Sequence, residues 1–236
     1  TELIAWHVPP KDGKPTVIPS KDGLTIDPAA LATAAKSALL TPERKAVLAT
    51  AVAKPKLTTE QATALGVKEE VSKFSTRLTS NAPRTNNLRI AARTVNGTLV
   101  MPGKTFSLNT VLGRRTPEKG YAEAPTIMNG RLVMGHGGGV SQMATTIYNN
   151  VFFAGLEDVR HMPHSFYISR YPVGREATVN YPDVDLVWRN DSKYAVLVEA
   201  SVTNTVNVRF WSTKQYDRVV SETGARTNPR QPKTVY

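Results

Sequence analysis

Ser141 and Gln142 stand at the join between a glycine run, Gly135-His136-Gly137-Gly138-Gly139, and a segment whose apolar residues recur at helical spacing. Glycine lets a backbone approach a ligand closely and take φ values that other residues avoid. The first turn of a helix offers unpaired N–H groups and a partial positive charge. A nucleophile or an anion at such a join is stabilised before any side chain contributes. Two more histidines, His161 and His164, follow, and imidazole changes charge near neutral pH. The bland alternative is a tight loop packed against a buried helix.

Spacing and composition remove several chemistries. No Gly-Lys-Ser/Thr follows the glycines, so they do not form a phosphate loop. Ser141 is not in a Gly-x-Ser-x-Gly elbow, which disfavours an α/β-hydrolase. His136, His161 and His164 lack the His-Glu-x-x-His spacing, so neither a metal site nor a cofactor is expected. With no cysteine, disulfides, Cys-ligated zinc and thiol catalysis are excluded in the chain as given.

The elements that must position this join read as α+β. In residues 1–73, Leu3–Val8 and Thr16–Pro19 are strand-like, and Lys21-Asp22-Gly23 is a turn. Asp27-Pro28 caps a helix through Leu39, Val47–Val52 reads as a strand, and Thr58 to Gln61 has capping-box spacing before a short helix ended by Gly66. Together they suggest a small α/β-type module of ferredoxin-like size, suited to binding or spacing. Residues 74–84 read as a junction, and Thr85 as the cap of a helix carrying Leu88, Ala91, Ala92 and Val95. Arg84, Arg89 and Arg93 beside it read by default as a solvated face. Asn96-Gly97 leads to a strand over Thr98–Met101, Pro102-Gly103 fits a type II turn, and Ile127–Val133 forms a hairpin around Asn129-Gly130.

Met143, Ile147, Val151 and Ala154 share one stripe, flanked by Ala144, Tyr148 and Phe152, so residues 141–154 form a central core helix ended by Gly155. Strands are expected at Ser165–Ser169, Ala177–Tyr181, Val184–Trp188, Ala195–Val202 and Val206–Trp211, giving an antiparallel sheet under that helix. Residues 74–212 thus form a mixed domain, and 213–236 a basic, partly disordered tail.

The 236 residues are 40% hydrophobic and 21% charged, a globular composition. No apolar run reaches the ~18 residues of a membrane span. The chain begins at Thr1, which leaves room for a removed signal peptide or anchor. The formal charge of +11 is concentrated in residues 74–236, with twenty Lys/Arg against eleven Asp/Glu. Such a surface attracts polyanions such as teichoic acids, acidic lipids or peptidoglycan carboxylates. Nucleic acid is not expected as a partner, because no zinc finger, RNP-like motif or aromatic-rich basic stripe occurs.

Five motifs then occur in order: Pro102-Gly103 with Phe106-Ser107-Leu108-Asn109; Gly113-Arg114-Arg115-Thr116 with Gly120-Tyr121; Gly137-Gly138-Gly139-Val140-Ser141-Gln142; Pro163-His164-Ser165; and Gly174-Arg175-Glu176-Ala177-Thr178. Over residues 75–202 or so the sequence resembles the VanW domain family. Residues 1–73 resemble the peptidoglycan-binding module that often precedes it. The resemblance implies an extracytoplasmic protein of the Gram-positive cell wall, with peptidoglycan stem peptides as partner. It also implies L,D-transpeptidase-like acyl transfer, since some members are thought to be L,D-transpeptidases. Two positions depart from the family pattern: Ser141 stands where cysteine is usual, and Glu176 where aspartate is usual. A serine at 141 fits an engineered replacement, a natural variant or a degenerate site.

Carried onto this chain, the resemblance makes Ser141 the nucleophile and His164 the general base, with Asp185 or Glu176 orienting the imidazole. The amides of Ser141 and Gln142, or those of the Gly137, Gly138 and Gly139 loop, would bind the oxyanion. Arg175 or Arg115 would hold a substrate carboxylate. The alternative is a non-catalytic peptidoglycan-binding or scaffolding protein.

Overall fold

The alternation Val206-Asn207-Val208-Arg209-Phe210 gives a strand one apolar face and one wetter face, and the rest of the molecule is laid against that apolar face. A computed structural model of the protein describes residues 6–7, 13–48, 50–128, 131–165, 167–225 and 227–228. In chain order its elements are β1 (Trp6–His7), β2 (Thr16–Val17), β3 (Gly23–Ile26), α1 (Pro28–Leu39), β4 (Thr50–Ala53), α2 (Thr59–Ala64), β5 (Glu69–Arg77), α3 (Ala82–Val95) and β6 (Thr98–Val100). Then follow β7 (Thr105–Ser107), α4 (Leu108–Leu112), β8 (Glu123–Met128), β9 (Arg131–His136), α5 (Ser141–Ala154), β10 (Glu157–Arg160), β11 (Val187–Arg189), β12 (Val196–Val202) and β13 (Thr205–Ser212). The fold is α+β.

The main sheet is antiparallel in the order β5-β13-β12-β6, and a three-stranded antiparallel sheet runs β10-β11-β7. Val206, Val208 and Phe210 of β13, with Val196, Val198 and Ala200 of β12, share one core with α3 and α5. Trp188 joins the two sheets, its ring 5.4 Å from Phe106 and 5.2 Å from Phe210. The opposite face of the main sheet is covered too: Leu197 and Trp211 pack with Ala62 and Val67.

α5 is buried through most of its length, with Met143, Ala144, Ile147 and Val151 in the core. From Gln142 onward its polar residues are buried as well, and each makes at least one hydrogen bond, although Asn149 Oδ1 is left without a partner. Gln142 Nε2 donates to Thr76 Oγ1 at 3.0 Å and to the Arg77 carbonyl at 2.8 Å. Thr146 meets Thr76 at 2.9 Å, and Ser72 donates to Asn150 at 3.1 Å, so three turns of α5 are stitched to β5. On a second seam, Thr145 donates to the Ala177 carbonyl at 2.8 Å and Asn149 to the Arg175 carbonyl at 2.9 Å. An unpaired buried polar group costs ~1–3 kcal/mol, so these seams fix where the helix begins.

Several local expectations agree with the structure. Asp27 caps α1 by accepting from Ala29 N–H, Thr58 and Gln61 form a reciprocal capping box, and Gly155 ends α5 in the left-handed region. β8 and β9 pair as the expected hairpin, longer than 127–133; Asn129-Gly130 lie outside the described residues.

Others are corrected. Residues 74–77, expected in a junction, are the second half of β5, hydrogen-bonded along β13. The cap of α3 is Asn81, whose side chain accepts from Arg84 N–H, rather than Thr85. No strand forms among the described residues of 165–169 or over 177–181, apart from a bridge between Asn180 and Val184. Side chains hold that second segment instead, with Thr145 and Ser141 supplying the partners of a ladder. β10, unexpected from its Glu-Asp-Val-Arg sequence, is a fully exposed strand beside β11. Tyr216 and Val219, in the expected tail, pack over Gly155; residues 229–236 lie outside the described residues. α1 buries no residue and every residue of β3 is exposed.

Phe210→Ala is expected to cost about 3–5 kcal/mol, because it empties the junction of both sheets. Leu39→Ala, on the 70% exposed end of α1, is expected to stay within about 0.5 kcal/mol. Urea denaturation midpoints of the two variants check both values.

Candidate functional site

Glycine is required in the turn before α5 by close neighbours. A Cβ on Gly138 would lie 2.2 Å from the Ala124 carbonyl oxygen. Gly139 has φ +95°, and a Cβ there would meet Arg84 Cγ at 2.5 Å. Gly137 packs in the same way on the stem of Arg115. Asn87 of α3, fully buried, pins the turn by donating to the carbonyls of Gly138 (3.1 Å) and Ala122 (2.9 Å). Between Gly137 and Met143, the amides of Gly139 and Ser141 take no backbone acceptor among the described residues. Gln142 N–H, expected in the oxyanion site, instead donates to the Gly139 carbonyl at 2.9 Å.

Ser141 and Gly139 form the floor of an open groove of about 950 Å³. One wall is the β8–β9 hairpin, through Pro125, Thr126, Ile127 and Leu132. The other is the 162–171 segment, through Met162, His164, Tyr167, Ile168, Arg170 and Tyr171. Thr178 and Val179 close the floor. Ser141 Oγ lies 2.9 Å from Thr178 Oγ1 and accepts from Val179 N–H at 3.2 Å. Among the described residues its hydrogen bonds go to that segment, with none to His164.

His164 shares the groove. Its side chain is 5% exposed and stacks on Tyr171 at 5.7 Å. Glu176 grips it twice: one carboxylate oxygen accepts from His164 N–H and the other lies 3.2 Å from Nδ1, both bonds at 3.2 Å. A carboxylate against Nδ1 favours the tautomer that carries its proton on that nitrogen, which leaves the Nε2 lone pair free. Burial is the largest influence on this imidazole and holds it below the ordinary value. Glu176 opposes burial, while Arg170 and Arg84 add to it.

The remaining expected residues lie elsewhere. Asp185 accepts from Ser107 Oγ at 2.6 Å and from Asn109 N–H at 2.8 Å, so it ties α4 to the β11 segment. Arg115 donates to Asn109 Oδ1 at 2.7 Å, with its guanidinium 5.9 Å from the Tyr181 ring centre. Arg175 lies over Phe152 and Phe153, at 5.1 and 4.8 Å. Neither Arg115 nor Arg175 lines the groove. Arg84 and Arg170 do. His136 and His161 pair with carboxylates of their own, Glu123 at 3.7 Å and Asp158 at 2.6 Å. Among the described residues no three potential metal ligands cluster, and no helix is long and apolar enough to cross a membrane.

The family model described as VanW like protein matches residues 83–211. The chain belongs to the VanW family. That span runs from α3 through most of β13 and includes every groove residue named above. The chain is 38% identical over 121 residues to the uncharacterized protein YoaR of Bacillus subtilis (strain 168), covering 51% of this chain and 40% of that protein. It is 26% identical over 157 residues to the vancomycin B-type resistance protein VanW of Enterococcus faecalis (strain ATCC 700802 / V583), covering 64% of this chain and 51% of that protein. The matched region thus takes in about half the length of these VanW relatives or less. No solved structure matches the chain.

The His164 environment gives a signed expectation. Its folded pKa lies below the unfolded value of about 6.5. Between the two the unfolded chain binds more protons, so this group's contribution to stability is complete above about 6.5 and is lost as pH falls toward the folded pKa. Arg84→Met removes a repelling charge and is expected to raise the His164 pKa. Glu176→Gln removes the opposing attraction and is expected to lower it. Nitrogen-detected NMR titration of the imidazole reads both shifts, and an upward move on Glu176→Gln contradicts the assignment.

Proposed function

We propose that this VanW-family chain is an extracytoplasmic cell-wall protein that acts on peptidoglycan stem peptides by L,D-transpeptidase-like acyl transfer, with position 141 as the attacking group. One observation carries the reading: Ser141, at the first position of α5, opens into the same groove as His164, whose Nδ1 is held by Glu176. The name of one relative, a vancomycin B-type resistance protein, supports the cell-wall setting, as does the +11 formal charge. In the same reading, residues 1–73 hold the protein on peptidoglycan.

In the reaction, Ser141 Oγ attacks the amide carbonyl of a donor stem peptide and its proton passes to His164 Nε2. The oxyanion is met by the amides of Gly139 and Ser141, aided by the N-terminal charge of α5. The C–N bond breaks, the leaving amine takes the proton from Nε2, and an ester remains on Ser141. An acceptor amine then attacks the ester and gives a proton to Nε2. The C–O bond breaks, the proton returns to Oγ, and a new amide is formed. Serine leans on the base far more than cysteine does, because a hydroxyl stays protonated where a helix N-terminus would leave a thiol partly ionised.

One observation favours the second reading, a non-catalytic stem-peptide binder. Ser141 Oγ is engaged by Thr178 and Val179, as a purely structural serine would be. The two readings are separated by measuring 3–3 cross-linked dimers formed from tetrapeptide muropeptides. Ser141→Cys is expected to raise dimer formation on the order of tenfold or more, and His164→Ala to abolish it. If neither the serine nor the cysteine form makes dimers while muropeptide still binds, acyl transfer is wrong and the binding reading stands.

A further inference from the structure

Two guanidinium groups face the groove without a carboxylate to neutralise them. Arg84 Nη2 donates to Gln142 Oε1 at 2.7 Å, and the Arg84 side chain also adjoins the Tyr171 phenol. Its Nε is buried with no hydrogen-bond acceptor. Arg170 lies over the Tyr171 ring, 4.8 Å from its centre, on the exposed rim. Among the described residues neither arginine is within ion-pair distance of an Asp or Glu. Burial penalises the Arg84 charge, and Arg170 adds repulsion. Two cations kept together, one of them partly desolvated, are disfavoured unless an anion joins them.

The position of Arg84 is also fixed. The Gln142 carboxamide is fully buried and both hydrogens of its Nε2 are committed to β5, so its oxygen must point at Arg84. This sets the guanidinium over Gly139, where a Cβ would lie 3.0 Å from Nη1, two residues before the attacking position. A guanidinium so held is a fork for a planar carboxylate rather than a mobile surface charge.

The geometry points to Arg84, oriented by Gln142 and assisted by Arg170, as the carboxylate-binding end of the groove, so that the peptide it accepts carries a free carboxylate beside the bond presented to position 141. This inference rests on the stem-peptide reading above. It replaces Arg175 and Arg115 in the carboxylate-binding role, since those two are stacked on aromatic rings outside the groove. The carboxylate is either the peptide's C-terminus or one on an acidic residue within it, and the test has an arm for each.

The probe is the peptide L-Ala-γ-D-Glu-L-Lys-D-Ala, compared with its C-terminal amide and with the form amidated at the glutamyl α-carboxyl. Binding to the whole chain is followed by calorimetry. One of the two amidations is expected to weaken binding by about tenfold or more, a charge-assisted pair being lost; which one identifies the carboxylate. Arg84→Met is expected to weaken the free acid by a similar factor and to leave that amide unchanged. Arg170→Met, on the rim and remote from the core, is expected to act in the same direction more weakly while unfolding at the same temperature as the unaltered chain. Equal binding of acid and both amides, or no binding of any of them, overturns the inference. So does an undiminished acid preference in both arginine variants. Acid preference without 3–3 dimer formation keeps the inference and removes acyl transfer, whereas dimer formation without acid preference does the reverse.

Discussion

The buried carboxamide of Gln142 is the contact on which the site depends. It has no exposure to solvent, both Nε2 hydrogens go to β5, and its oxygen accepts from Arg84. Because Thr146 and Asn150 continue the same seam down α5, the helix cannot rotate or slide against β5 without leaving several buried groups unpaired. The second seam, through Thr145 and Asn149, ties the same helix to the segment that carries Glu176 and Thr178. One helix thus sets the place of Ser141, the basic end of the groove and the carboxylate behind the imidazole.

Electrostatics in the groove follow from this placement. Burial holds the His164 imidazole below its ordinary value, with Glu176 opposing and the two guanidiniums adding to the shift, and Glu176 orients the ring through Nδ1. The Glu176 carboxylate spans from the histidine's backbone amide to its ring. The imidazole, with Nδ1 held by Glu176, and the Ser141 hydroxyl at the N-terminus of α5 line one groove. It also suits the recognition of a peptide that brings its own negative charge.

Much of this was legible in the sequence where local chemistry decides the outcome. The stripe of Met143, Ile147 and Val151 with Gly155 behind it fixed the span of α5, and Asp27-Pro28 and Thr58 to Gln61 marked two helix starts. Where tertiary approach decides, local sequence carries no signal. Arg84 looks like any solvated charge on a helix until Gly139 comes against its stem. Arg115 and Arg175 have the same side chain, but the rings that cover them are distant in sequence or set by helix rotation. Asp185 and Glu176 were equal candidates behind His164, and only the fold sends one to α4 and the other to the imidazole. Residues 177–181 have strand-like composition, yet side chains from α5 take their hydrogen bonds in place of a neighbouring strand.

β5 lies ahead of the span that defines the family, which opens at residue 83. Yet it covers one long edge of β13 over eight residue pairs and carries Ser72, Thr76 and the Arg77 carbonyl that meet α5. A polypeptide trimmed to the family span would bare a row of unpaired amides and carbonyls along β13, the kind of edge on which chains stick to one another. The main sheet therefore reaches beyond the stretch that the family model matches, taking in β5 from Glu69 onward.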